Sequence, residues 1–178
     1  RNMSSLSSVT IGSNVTSIGD YAFSKCTSLS SVTIPNSVTT VGGGVFYGCS
    51  ALESVVLSEN ITELPSEYSY NQGDYGFFRE CSSLKSISIP HGVTNIGKNA
   101  FYGCSSLTKT NYTGDVASWC NIKFANYSAN PIPYSNNLYI NDVEVKEIVI
   151  TNGVDSIHDY AFEGCRSLTS ITIPNSVT

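Results

Sequence analysis

Five of the six cysteines, Cys26, Cys49, Cys81, Cys104 and Cys165, each stand three residues after a phenylalanine. Thiolates bind zinc and act as nucleophiles, but zinc sites draw ligands from closely spaced pairs, and no C-x-x-C occurs. Neighbouring copies would bring the Cα atoms of such a column within disulfide range, yet side chains in one column point in parallel and do not converge. They read as buried free thiols filling small apolar sites. Cys120 falls outside the column and has no histidine near it in sequence, so it is not expected to be reactive. His91 and His158 occupy different positions in the pattern described below and do not suggest a shared site. The carboxylates show no recurring pair, and neither G-x-S-x-G nor H-E-x-x-H is present. Gly42-Gly43-Gly44 looks like part of a phosphate loop but aligns with Gly19-Asp20-Tyr21, so it reads as a turn. The chain is therefore not expected to be an enzyme, and no metal or cofactor is expected.

What must position these side chains is a repeat. Residues 6–28, 29–51 and 84–106 are variants of one sentence, and Leu6 to Leu29 and Leu84 to Leu107 are both steps of 23 residues. Six segments and a truncated seventh follow L-x-x-V-x-I-P-x-x-V-x-x-I-G-x-x-A-F-x-x-C. Self-similarity at such a period is the mark of a solenoid or a propeller. Within a copy, S-V-T-I alternates apolar and polar side chains, the pattern of a half-buried strand. Proline after Ile34, Ile89 and Ile173 ends that strand, because it has no N–H for the ladder. A second short extended piece runs through V-T-x-I, and a helical turn through A-F-x-x-C closes the copy. One copy alone buries too little to fold, so stability is expected at the contacts between copies. The predicted fold is a β-rich solenoid of parallel strands with short helical turns and two loop insertions.

Composition narrows the partners. Charged residues are 13% of the chain and the net charge is -5, without basic runs, so neither nucleic acid nor an anionic membrane surface is invited. No apolar run is long enough for a membrane span, and the N-terminus lacks the apolar core of a signal peptide. The chain starts just ahead of one copy and stops partway through another at P-N-S-V-T, as expected of a piece of a longer protein.

Residues 1–178 read as a single solenoid fragment interrupted at 65–76 by an inserted loop and at 108–144 by a longer insertion. The latter holds the only tryptophan. Asp115 can cap a short helix over residues 116–119, and Asn141-Asp142 can turn a hairpin between Leu138-Tyr139-Ile140 and residues 143–145. The insertion is either a protruding subsite rich in Tyr, Trp and Asn or a loop whose Trp119, Ile122 and Phe124 form a small satellite core. Sequons at Asn2, Asn14, Asn60, Asn111 and Asn126 are incidental in so Ser/Thr-rich a chain.

The outward columns of the main sheet are predicted as Ser8, Ser31, Ser54, Ser86, Lys109, Glu147, Ser170 and Thr10, Thr33, Val56, Ser88, Asn111, Val149, Thr172. This is a low-charge hydroxyl surface, and its distinctive side chains gather in the fifth and sixth copies. Lys109, Asn111, Trp119, Tyr139 and Glu147 are the candidate ligand-binding residues.

The motif, seen in residues 29–49, 84–104 and 145–165, resembles the BspA-like type of leucine-rich repeat. The segment Trp119-Cys120-Asn121-Ile122-Lys123-Phe124 is similar to an interruption in members from gut bacteria. The resemblance implies a bacterial leucine-rich-repeat solenoid from a secreted or surface-displayed protein, extracellular, non-catalytic, and used in adhesion to a protein or glycan ligand. A structural spacer, or an accessory module of a larger secreted enzyme, is the alternative.

Overall fold

The computed structural model describes residues 3–69 and 73–178, so the sequon at Asn2 and positions 70–72 of the first insertion lie outside the described residues. The fold is repeat-based and strand-rich with few helices, and the described strands do not close into a barrel. Strands Ser31–Thr33, Ser54–Val56 and Glu147–Val149 each bury their central residue and expose its neighbours, which is how a period-2 pattern settles when one face meets the core. Pairing is parallel: Ser31 faces Ser54, Lys109 faces Ser86 and Glu147 faces Ser170, partners 23 residues apart. The second extended pieces are parallel too, Ser17–Ile18 with Thr40–Val41, and Asn95–Ile96 between Glu63–Leu64 and Lys123–Phe124.

Two expectations fail at the margins. Residues 8–11, expected as the first main strand, are irregular, because a segment with a neighbour on one side only has half the ladder to hold it. In the last copy, Ser170–Thr172 is a regular strand, but Ile171 and Ile173 are 40% and 51% exposed. The A-F-x-x-C segment is also not helical. It forms isolated three-residue turns, such as Cys49 N–H to Phe46 O at 3.1 Å and Cys104 N–H to Phe101 O at 3.0 Å.

One apolar cluster runs from Ile18 to Ala161. Its centre is a column of phenylalanines, with Phe46 stacked on Phe23 and on Phe78 at centroid distances of 5.7 Å, and Phe78 on Phe101 at 5.6 Å. Beside it the thiols form a hydrogen-bonded ladder between copies. Cys49 Sγ donates to Phe23 O at 3.0 Å, Cys81 Sγ to Phe46 O at 3.1 Å, and Cys104 Sγ to Phe78 O at 3.3 Å. All six cysteines are free. Burial pushes the Cys49 and Cys104 thiols up to about 12 and Cys81 well above the ordinary value.

These thiols should therefore resist alkylation in the native chain while half-buried Cys165 labels first, as read by mass spectrometry after iodoacetamide. Labelling of Cys81 as fast as Cys165 would contradict the packing. The sign of the pH effect follows. An unfolded thiol begins to ionise near 9.0, whereas the folded Cys49 and Cys104 hold their protons to about 12. The stability they add is complete below the ordinary thiol value and declines as pH climbs between those limits.

The glycine triplet has a steric cause. A Cβ on Gly43 would come within 2.5 Å of Glu67 N, and Gly44, at φ +60°, would set a Cβ 2.9 Å from the Tyr21 ring. The triplet lets neighbouring turns touch, with Gly43 N–H donating to Asp20 Oδ1 at 2.8 Å. Close to it, Glu67–Ser69 pairs antiparallel with Gly73–Tyr75.

Candidate binding face

The most featured part of the outer sheet is the four-stranded stretch Ser86–Ile89, Lys109–Tyr112, Leu138–Ile140 and Val143–Glu144. The first three strands are parallel. The last pairs antiparallel across the tight turn Asn141-Asp142, where both residues have positive φ. Register places Ser88 beside Asn111, Asn111 beside Tyr139 and Tyr139 beside Glu144, in one outward row.

The side chains of this row are tied together. Lys109 Nζ lies 2.6 Å from Asp142 Oδ1 and 5.0 Å from the centre of the Tyr139 ring. Asp142 N–H donates to Asn111 Oδ1 at 2.8 Å, and Asn111 Nδ2 donates to Ser88 Oγ at 3.0 Å. Lys146 Nζ lies 3.7 Å from Glu144 Oε2. A cation held over a ring and against a carboxylate is fixed in place before any ligand arrives, which lowers the ordering cost of binding. Hydrogen bonding, ion pairing and ring contact are what the cluster offers.

The five candidate residues are not all together. Lys109, Asn111 and Tyr139 meet here, Asn111 being mostly buried by its hydrogen bonds. Glu147 is exposed on the separate pair Glu147–Val149 and Ser170–Thr172. Trp119 is the correction. It is 0% exposed, packed against Tyr112 and Phe124 at ring distances of 5.2 and 5.4 Å, with Nε1 donating to Ala161 O at 2.8 Å. Its ring has no open face, so it cannot touch a ligand.

Trp119 reaches that position from helix Val116–Cys120, held by a reciprocal cap in which Ser118 N–H donates to Asp115 Oδ1 at 2.8 Å and Asp115 N–H donates to Ser118 Oγ at 3.1 Å. The Ser118 hydroxyl, which also donates to Asp115 Oδ1 at 2.6 Å, and then the Ser118 N–H hold the Asp115 carboxyl below the usual carboxylate range. Ile122 and Phe124 are buried with Trp119 in the main cluster, not in a separate core. Elsewhere in this segment Tyr127–Ala129 and Ile132–Ser135 form short helical turns.

Sequence reasoning missed Asp142, which it read only as a turn residue, although its side chain completes the Lys109 pair. It also missed a row of tyrosines on the phenylalanine-bearing turns, visible in retrospect as the residue that follows Phe in two copies, Tyr47 and Tyr102.

A leucine rich cell surface protein from Faecalibacterium prausnitzii A2-165 is similar in structure, with a TM-score of 0.52 and 30% identity over 93% of this chain. The leucine rich repeat protein of T. pallidum has the same TM-score, 0.52, at 24% identity over 90% of this chain, a likeness of fold alone. The chain spans 32% of the length of the first and 64% of the second. No curated protein sequence matches it. The sequence profile described as BspA type leucine rich repeat region matches residues 1–130 and 134–178 in six copies. Together with the register of the parallel strands, that match makes the chain a member of the BspA-type leucine-rich-repeat family.

Proposed function

We propose that the chain is one stretch of parallel-stranded solenoid, elaborated at 65–76 and 108–144, and that it serves as a protein-binding module of a surface-displayed or secreted protein. Adhesion to an extracellular protein is the role that fits. The observation that carries this reading is the preformed cluster of Lys109, Tyr139, Asp142 and Asn111 on the outer sheet. Similarity to a leucine rich cell surface protein supports the location.

The test is retention on individually immobilised matrix and plasma proteins. Lys109→Glu should weaken retention several-fold or more, because it removes the cation and sets a second carboxylate against Asp142. Glu147→Lys, on the neighbouring strand pair, should change it less. Lys109 and Asp142 are exposed, and such pairs contribute only about 0.2–1 kcal/mol to folding, so the variant should remain folded. Unchanged retention in Lys109→Glu would remove the site assignment. The spacer reading is favoured by the hydroxyl columns of Ser31, Ser54 and Ser86. It predicts no saturable ligand at all.

A further inference from the structure

A second surface lies on the turns that carry the phenylalanine column. These turns are tied edge to edge by their backbones: Lys25 N–H to Tyr47 O at 2.7 Å, Gly48 N–H to Arg79 O at 2.8 Å, Glu80 N–H to Tyr102 O at 2.7 Å, and Phe101 N–H to Ser128 O at 2.9 Å. Cations and rings alternate along these turns, with Tyr47 buried and Tyr102 reaching the surface. Lys25 Nζ is 5.6 Å from the centre of the Tyr47 ring, and the Arg79 guanidinium is 5.8 Å from Tyr47 and 5.4 Å from Tyr102. Tyr102 is 50% and Tyr127 47% exposed, and the Phe101–Ser128 backbone bond sets their two turns side by side.

The chemistry of this edge differs from that of the sheet face. Most of its charge is closed locally, by Arg79 with Glu80 at 3.4 Å and Lys98 with Asp74 at 3.8 Å. Exposed aliphatic side chains such as Val56, Val149 and Ile171 belong to the strands, while the turns present tyrosine. A protein hot spot needs a dry apolar pocket around its anchor, whereas Tyr102 and Tyr127 stand half-exposed, flanked by hydroxyls and amides. Electron-rich rings attract the polarised C–H groups of a sugar and phenolic hydroxyls meet its hydroxyls, while Arg79, whose Nη1 donates to Asp74 O at 2.8 Å, steadies the Tyr102 ring. We propose that the edge centred on Tyr102 and Tyr127, with Arg79 between Tyr47 and Tyr102, is a subsite for a neutral polysaccharide.

The test is affinity electrophoresis of the whole chain through native gels, each cast with one soluble polysaccharide: hydroxyethyl cellulose, xylan, mannan or laminarin. At least one gel should retard the wild-type chain. Tyr102→Ala with Tyr127→Ala should weaken the apparent affinity by about tenfold or more, the loss of two ring contacts. Tyr102→Phe with Tyr127→Phe, which keeps both rings, should retain most of it. Lys109→Glu, judged against its own mobility in a gel without polysaccharide, should be retarded to the same degree as wild type, which separates this edge from the sheet face. Unchanged Trp119 emission checks that each variant is folded. No retardation in any gel, or equal retardation of the alanine variant, would overturn the proposal. So would loss of binding to an immobilised protein by the alanine variant without any polysaccharide effect, since the edge would then be a protein surface.

Discussion

Phe78→Ala should lower the unfolding free energy by about 3–5 kcal/mol, the usual loss for emptying a fully buried phenylalanine site. Phe78 is 0% exposed and lies between Phe46 and Phe101, with Phe77 edge-on at 4.8 Å. Phe78 N–H donates to Ala100 O at 2.8 Å and Phe78 O accepts the Cys104 thiol at 3.3 Å, while Phe77 O accepts Phe46 N–H at 3.0 Å from the preceding copy, so the main chain is pinned on both sides and cannot collapse into the void. The cavity term should therefore be near its full size. Phe162→Ala, at a half-buried copy of the same position, should cost clearly less. Urea unfolding followed by far-ultraviolet circular dichroism measures both. A loss below about 1 kcal/mol at Phe78 would mean that the column is not close-packed.

Trp119→Ala should have a comparable effect, about 3–5 kcal/mol, although Trp119 lies outside the repeat pattern. Its ring fills the space between Tyr112, Phe124 and Ala161, and it joins the 108–144 segment to the sixth copy. Other bonds cross the same junction: His158 N–H to Cys120 O at 3.0 Å, Arg166 N–H to Asn136 O at 2.8 Å and Asn130 Nδ2 to Tyr160 O at 2.6 Å. Trp119→Phe separates the two contributions. It keeps most of the apolar area but leaves the Ala161 carbonyl without its indole donor, at a cost of about 1–3 kcal/mol. Equal loss in both variants would assign the whole effect to the hydrogen bond, and no loss in either would place Trp119 at the surface.

The two results bear on how far such a chain can be read from its residues. The strand columns and the Phe and Cys columns were legible because apolar and polar slots alternate at a fixed step, and the parallel partners of Ser31, Lys109 and Glu147 follow from that step. The destination of Trp119 was not legible. Nothing within 108–144 says which surface the ring will meet, and its hydrogen-bond partner is 42 residues away. Helix Ile132–Ser135 is equally silent, a single turn opened by Pro131 with no periodicity to betray it. Of the candidate site, Lys109 and Asn111 could be named from their outward columns, and Tyr139 from the Tyr-rich insertion that holds it. Asp142 could not, because a residue in a tight turn reads as turn chemistry until the turn's direction is known.

The most direct test of the central claim, that consecutive copies share one packed interior with Trp119 bolted into it, is the urea unfolding of Phe78→Ala read twice, once by Trp119 fluorescence and once by circular dichroism. Phe78 and Trp119 belong to one buried cluster but do not stack on each other. The shared interior predicts that both signals move together to the same lowered midpoint. A Trp119 transition left at its wild-type midpoint while the circular dichroism shifts would show that the 108–144 segment packs as a separate body, and the continuous interior would be disproved.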